Sequence, residues 1–159
     1  MDEILEILEK NCKYTDEQIA TMTAKTKEEV RDAIDEYEKD DVIVGYSALV
    51  NWEKTQKENV VALIEVKVTP QRGEGFDKVA ERIYRFSEVK ACYLMSGGFD
   101  LTVIVEGKTM KEVALFVAEK LAVQKSVLSC STHFVLKKYK DKGKVFEQKK
   151  TDDREAIFI

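Results

Sequence analysis

The stretch VKACYLMSGGFDLTVIVEG, residues 89–107, decides the fold of this chain. Its two halves, residues 89–96 and 99–107, are rich in β-branched and aromatic residues, a composition typical of strands. Gly97 and Gly98 stand between them, and a glycine pair between two such runs favours a short hairpin. The stretch therefore predicts two adjacent antiparallel strands, and its flanking segments indicate which sheet they join.

The segments on either side of this hairpin complete a symmetrical order of elements. Before it lie a strand with alternating apolar residues, 60–69, and a run with apolar residues at helical spacing, 76–87. After it lie a second helical run, 109–122, and a last strand, 126–139. The order β-α-β-β-α-β is that of the ferredoxin-like arrangement, so we predict an α+β protein with two helices covering one face of a four-stranded antiparallel sheet.

The face of the sheet that the helices leave open is predicted to carry apolar side chains. In strand 99–107, either Leu101, Val103 and Val105 or the alternate set of residues points towards that face. A sheet face that its own chain leaves uncovered favours association with a second copy. We therefore expect self-association.

The first 45 residues have the pattern of a three-helix, helix-turn-helix domain. Helical spacing of apolar residues is present in 2–12, in 16–22 and in a third run that follows Thr26. Thr15 and Thr26 each begin a capping-box pattern, which favours a helix start at both positions. The apolar face of the third helix is predicted to consist of Val30, Ala33, Ile34 and Tyr37.

Composition divides the chain into four parts. Residues 1–45 are the helix-turn-helix domain, and residues 46–59 are predicted to form a linking strand and a linker, the strand beginning in the β-rich run 41–50. Residues 60–140 are the ferredoxin-like domain, and residues 141–159 are a C-terminal tail. The charged part of the tail is predicted to be solvated, whereas its AIFI end is compatible with an edge strand or with docking on a partner.

Charge and cysteine content exclude several classes of protein. The net charge is −4, but residues 1–51 hold fourteen acids against six bases, while residues 52–159 hold sixteen acids against twenty bases. The three cysteines are scattered without a CxxC pair, which argues against a disulfide framework or a zinc cluster and favours small core residues. Because we find neither a signal peptide nor an apolar run long enough for a membrane span, we expect a cytoplasmic protein.

The motif content argues against an enzyme. The chain has one histidine, and it has neither a GxGxxG motif nor a GxxxxGK[ST] motif. No pairing of a nucleophile with a base is indicated by the order of the strands. We therefore predict no catalytic residues, no metal site and no cofactor.

Three segments together resemble one known family of regulators. They are DDVIVGYSALVNWEK (40–54), VKACYLMSGGFDLTVIVEG (89–107) and VLSCSTHFVLKKYKDKG (127–143). Their order and spacing resemble those of the Lrp/AsnC family of feast/famine regulators, over nearly the whole chain. The resemblance implies a regulator that binds double-stranded DNA, forms dimers and often octamers, and takes an amino acid or related small metabolite between dimers at its ferredoxin-like domain.

The resemblance also implies where the effector binds. The residues concerned lie in the hairpin loop and in the last strand: Met95, Gly97, Gly98, Phe99, Asp100, Ser131, Thr132 and His133. Glycine N–H groups can approach a carboxylate closely, Asp100 can hold an ammonium group, and Thr132 offers a hydroxyl. The alternative is local: the glycines serve the hairpin, the aspartate caps the turn, and the histidine is satisfied by strand neighbours.

The helix that the resemblance assigns to DNA is acidic, which leaves its role open. The implied DNA contacts are Lys25, Thr26, Lys27 and Arg31. Where the family usually has a Ser-Thr pair and a turn glycine, this chain has Glu28-Glu29 and Ala24. Asp32 and Asp35 are the main objections, because acids oppose binding to phosphate. The alternative is a metabolite-sensing oligomeric module whose helix-turn-helix no longer binds DNA.

Overall fold

The computed structural model describes residues 3–69 and 75–146, which divide into two compact units. The division falls between Leu49 and Val50. The first unit is helical, and the second is built on a sheet. No helix in the described residues combines the length and the apolar character needed to cross a membrane.

Three helices make up the first unit: α1 (Glu3–Lys10), α2 (Asp16–Thr23) and α3 (Lys27–Lys39). Their apolar faces meet in one small core, in which Val30 is fully buried. The rest of this core and the side chains around it are Ile4, Leu8, Ile19, Ala20, Ile7, Tyr14, Ala33, Ile34, Tyr37 and Ile43. The predicted apolar face of α3 is thus confirmed. Cys12, expected in the core, is exposed, because α1 ends at Lys10 and no longer directs its side chain inward.

Both predicted capping boxes are present, at the starts of α2 and α3. The Thr15 hydroxyl accepts from the Gln18 N–H at 3.3 Å, and the Gln18 side chain accepts from the Thr15 N–H at 2.9 Å. Thr26 and Glu29 make the same pair of hydrogen bonds at 3.2 and 2.7 Å. The Thr26 backbone N–H thereby lowers the pKa of the Glu29 carboxyl. Each box satisfies N–H groups that a helix start leaves unpaired.

Ala24, in the turn between α2 and α3, has a left-handed backbone with φ of 54° and ψ of 35°. In that region the Cβ crowds the following carbonyl oxygen, which costs roughly 1 kcal/mol relative to glycine. We expect Ala24→Gly to raise the free energy of unfolding by about 1 kcal/mol, measured by urea denaturation followed by circular dichroism. Ala20→Gly, in the buried part of α2, is the control and should destabilise. An Ala24→Gly protein of unchanged stability would contradict this explanation.

The linking strand predicted to begin in residues 41–50 is not formed. A strand needs a hydrogen-bonded neighbour, and none of the described strands lies beside this segment. Its beginning is fastened to α3 instead, because the Ile43 N–H donates to the Tyr37 carbonyl at 3.0 Å. The Tyr46 hydroxyl donates to Glu38 Oε1 at 2.9 Å, and burial together with this carboxylate raises the pKa of Tyr46 to about 12. The segment is therefore an extension of the helical unit up to Tyr46.

The second unit has the predicted ferredoxin-like order of elements. A 3-10 turn, Trp52–Lys54, precedes the sheet. The main elements are β1 (Val60–Val68), α4 (Gly75–Tyr84), β2 (Val89–Leu94), β3 (Leu101–Gly107), α5 (Met110–Phe116) and β4 (Val127–Phe134). The four strands form one antiparallel sheet in the order β2-β3-β1-β4. The predicted α+β fold class is confirmed.

The core of this unit lies between the helices and one face of the sheet. Ile64 of β1 and Val103 of β3 are cross-strand neighbours and are both fully buried. After α5 the chain continues as a π-helical turn, Val117–Leu121. Because a π turn is wider than an α turn and closes over five residues, it brings Leu121 towards the same buried side as Phe116. The other buried members of this core are Ala62, Val66, Val68, Val79, Ile83, Leu101, Val105 and Val113.

The opposite face of the sheet is only partly apolar, which corrects the sequence prediction. The apolar set Leu101, Val103 and Val105 points towards the helices of its own chain. By strand alternation, the open face carries Val61, Leu63, Ala91, Tyr93 and Ile104 together with Glu65, Lys67, Thr102, Glu106, Ser131 and His133. Periodicity alone could not tell which set is covered, because that depends on the side to which the helices cross. This face is therefore a weaker argument for self-association than the sequence predicted.

The last part of the described chain is a small hairpin. Where the prediction continued the fourth strand to residue 139, β4 ends at Phe134, and β5 (Lys140–Asp141) pairs with β6 (Lys144–Val145) further on. Cys92 and Cys130 are half-buried against the sheet core, in line with their predicted role. The loop 70–74 and the tail 147–159, with its AIFI end, lie outside the described residues.

Candidate functional site

The loop that was predicted to form a tight two-residue hairpin is wider than expected. β2 ends at Leu94 and β3 begins at Leu101, and the Met95 N–H donates to the Asp100 carbonyl at 2.8 Å across the base of the loop. Neither Gly97 nor Gly98 has a left-handed φ, and a Cβ built on either would meet nothing within 4 Å. The glycines therefore leave open space beside their backbone, which an incoming group can approach.

Asp100 fastens this loop to the neighbouring strand β1. Its N–H donates to the Val66 carbonyl at 3.1 Å, and its Oδ2 accepts from the Val68 N–H at 2.8 Å. The carboxylate is half-buried and ends the hydrogen-bond ladder on that side of β1. This contact differs from the local alternative, in which the aspartate caps its own turn, because the partner lies on a neighbouring strand; a role towards an ammonium group would be added to it.

The three residues of the last strand that were predicted to share a site lie on two faces of the sheet. In the β1–β4 pairing, Thr132 stands opposite buried Ile64 and so faces the helices. Ser131 and His133 face the open side, where His133 Nε2 lies 3.3 Å from Ser131 Oγ and 3.5 Å from Glu65 Oε1. Glu65 was not among the site residues predicted from the sequence, although alternation along β1 puts it on the face opposite Ile64, the face of Ser131 and His133.

Within one chain, the loop and the strand segment do not form one pocket. They lie on opposite sides of β1, two strand spacings or about 10 Å apart. Two cavities of this unit lie elsewhere. One of about 180 Å³ is bounded by β3 and α5, and one of about 430 Å³ by the linker, β1 and the chain after β4. A site that uses both groups of residues at close range therefore calls for more than one copy of the chain.

The four residues assigned to DNA lie around the turn before α3 and on its first turns, but two of them already have partners. The Thr26 side chain takes part in the capping box. Lys27 Nζ makes an ion pair with Glu17 Oε1 of α2. Lys25 and Arg31 are exposed, and no ion pair within the described residues involves either.

The contact between Lys27 and Glu17 was not visible in the sequence. The hydrogen bond from Lys27 lowers the pKa of Glu17 to about 2, and the same contact raises the pKa of Lys27. Ten residues and a turn separate the two side chains, so neither helical nor strand periodicity indicates that they meet. Only the angle between α2 and α3 brings them together.

The rest of the exposed surface of α3 is dominated by acids. Glu28, Asp32 and Asp35 are all exposed. Glu28 lies in the first helical turn, where a carboxylate is favourable to the helix dipole, whereas Asp32 and Asp35 have no such compensation. The only cations of α3 outside its last turn are Lys27 and Arg31. The structure therefore leaves the electrostatic objection to DNA binding in place.

Known proteins identify the family. A model of the Lrp/AsnC ligand binding domain matches residues 61–145. The chain is also 54% identical to an uncharacterized HTH-type transcriptional regulator, YugG of Bacillus subtilis, over 98% of this chain and 94% of the relative. The chain belongs to the Lrp/AsnC family. The family predicted from the sequence is thus confirmed, and with it a transcriptional regulator that carries a ligand-binding domain.

Solved structures support the fold of this Lrp/AsnC regulator. A Neisseria meningitidis transcriptional regulator in complex with L-Met has a TM-score of 0.72 at 21% identity, and the match covers 89% of this chain and 93% of that one. The Mycobacterium tuberculosis leucine response regulatory protein has a TM-score of 0.73 at 18% identity, covering 89% and 97%. At such identities these likenesses establish the fold and leave the effector of the present protein open.

Proposed function

We propose that this Lrp/AsnC regulator binds double-stranded DNA through α3 and binds an amino acid or related small metabolite where copies of its sheet domain meet. The observation that carries the proposal is the presence of two kinds of unit in one chain. One is a helix-turn-helix whose second and third helices both have complete capping boxes, and the other is a domain matched by the family's ligand-binding model over 61–145. Recognition helices enter the major groove by their N-terminal turns, which in α3 begin at Lys27.

DNA binding is tested on the region upstream of the protein's own gene. Fluorescence anisotropy at low salt should reveal a complex that weakens steeply as salt is added, because phosphate contacts release counterions. The absence of binding at micromolar protein would remove this half of the proposal.

Arg31→Ala should weaken binding to that DNA by roughly tenfold. Arg31 is exposed on the second turn of α3 and has no acidic partner among the described side chains, so its guanidinium can reach a base edge or a phosphate. The measurement is the same anisotropy titration. Arg85→Ala is the matched control, because it removes an equal charge from the sheet unit, where Arg85 pairs with Glu81. Equal effects of the two substitutions would argue against α3 as the reading helix.

The effector half of the proposal concerns the loop residues and the β4 residues. Because β1 separates these two groups within one chain, they can contact one ligand together only if they come from different copies of the chain. The proposed contacts from the loop are Met95, Gly97, Gly98, Phe99 and Asp100, and those from β4 are Ser131 and His133. Thr132 is a weaker candidate, because it faces the helices. The Neisseria relative in complex with L-Met makes an amino acid a reasonable ligand class. In a thermal-shift series over the twenty amino acids, a ligand at 100 times its Kd should stabilise the protein by about 2.7 kcal/mol.

We propose that the protein forms a homodimer, and that dimers assemble into an octamer. Exposed apolar residues in the sheet unit and in the segment before it support association. Val44 is 89% exposed in the segment before the sheet unit, and Tyr93, Leu94 and Met95 are exposed next to the loop. Light scattering measures the mass directly. A monomer at micromolar concentration would remove the assembly and the proposed interface site together.

A second candidate is a metabolite-sensing assembly that does not bind DNA. It is favoured by one observation: the exposed acids Glu28, Asp32 and Asp35 outnumber the cations on the same turns of α3. Both candidates predict a ligand-dependent thermal shift. A shift without any complex with DNA at low salt would select this second candidate.

A further inference from the structure

One contact in the helix-turn-helix lies where DNA would have to bind. Lys27 is the first residue of α3, and Glu17 is the second residue of α2. Their ion pair bridges the two helices, and their side chains keep 47% and 61% of their surface exposed. The pair is therefore on the surface and open to competition from other charged groups.

The position of the pair relative to a duplex follows from the docking of helix-turn-helix domains. The second helix of the motif enters the major groove by its N-terminal residues, while the first helix crosses the phosphate backbone. Lys27 begins the second of these helices, and Glu17 is in the first turn of the other. Within the protein, a Glu17 carboxylate oxygen thus makes the contact with Lys27 Nζ that a phosphate oxygen of the duplex would otherwise make.

We propose that Glu17 competes with DNA phosphate for Lys27, and that it thereby sets the affinity and the salt dependence of DNA binding by this regulator. The proposal rests on the DNA-binding function proposed above. Glu17 acts as a tethered counterion: DNA must displace it before Lys27 can neutralise a phosphate. The net gain from neutralising a phosphate is then smaller, because the contact between Glu17 and Lys27 is lost when DNA binds.

The surroundings of Lys27 limit the size of the effect. Asp16 and Glu28 also act on its charge, so removal of Glu17 does not leave the lysine in a neutral environment. The pair itself is weak, because exposed ion pairs are well solvated and are screened by salt. DNA can therefore displace Glu17, at the cost of weaker binding.

The test uses four full-length variants and anisotropy with the upstream DNA over a range of salt concentrations. Glu17→Gln should tighten binding about threefold to tenfold at low salt, and this gain should shrink as salt is added, because salt screens the competing carboxylate. Glu9→Gln is the matched control, because Glu9 is an exposed acid of α1 and lies outside the helix pair. It should give a smaller gain, since it removes a charge without releasing Lys27. Lys27→Gln and the double variant Glu17→Gln/Lys27→Gln complete the set.

The double variant decides whether the effect passes through Lys27. In the Lys27→Gln background, Glu17→Gln should give no more than the gain of Glu9→Gln. A gain that persists in that background, or equal gains for Glu17→Gln and Glu9→Gln in the wild type, would overturn the proposal while leaving DNA binding intact. If neither the wild type nor Glu17→Gln binds DNA at low salt, the proposed DNA function fails, and this inference fails with it. Circular dichroism melts check that all variants fold equally.

Discussion

Replacing Ile64 with alanine is expected to lower the free energy of unfolding of the sheet unit by about 3–4 kcal/mol. Ile64 is fully buried at the middle of β1, with Val103 and Thr132 as its neighbours on the two adjoining strands. Both adjoining strands fix its surroundings, so the space left by the shorter side chain cannot close easily, and the cavity adds to the lost burial. Urea denaturation followed by the fluorescence of Trp52 measures the effect, because this single tryptophan lies in the sheet unit.

Leu128→Ala is the control for Ile64→Ala. Leu128 lies on the edge strand β4 and is 68% exposed, so its truncation should change the stability by less than about 1 kcal/mol. A loss below about 1 kcal/mol for Ile64→Ala would mean that the space between sheet and helices is looser than the structure describes.

Asp100→Asn should weaken effector binding by about 100-fold while leaving the sheet unit nearly as stable as before. An asparagine oxygen can still accept from the Val68 N–H, so the contact that fastens the loop to β1 survives. The negative charge proposed to hold the ammonium group of the effector is lost, and removal of one partner from a desolvated charge pair typically costs 2–5 kcal/mol, or about 30-fold to several thousandfold. Calorimetric titration with the amino acid that most stabilises the wild type gives the affinity.

Asp100→Ala separates the two roles of this residue. It removes the acceptor as well as the charge, so it should destabilise the sheet unit by about 1–3 kcal/mol in addition to weakening the effector. If Asp100→Asn binds the effector as tightly as the wild type, Asp100 serves only to fasten the loop, and the proposed ammonium contact is wrong.

The sequence by itself was sufficient wherever structure follows from local pattern. Thr15 and Thr26 predicted two helix starts, because a capping box is satisfied within four residues of the chain. Alternation predicted β1 as a strand, and helical spacing predicted the apolar face of α3, on which Val30 is fully buried and Ala33, Ile34 and Tyr37 are half-buried. The order of elements then led to the ferredoxin-like sheet, and three matched segments led to the family. The width of the Met95–Asp100 loop was not predicted, because the glycine pair does not adopt the left-handed turn that its presence favours.

Only the tertiary structure decided the features that depend on distant parts of the chain. Three features depend on how separate elements pack: which face of the sheet the helices cover, the contact of Asp100 with Val68, and the ion pair of Lys27 with Glu17. The division of Thr132 from Ser131 and His133 follows instead from alternation along β4, which the predicted site did not take into account. The physical reason is the same for the three packing features. A periodic pattern records which side of one element is apolar, whereas the partner of a polar side chain depends on the angle and register at which two elements pack.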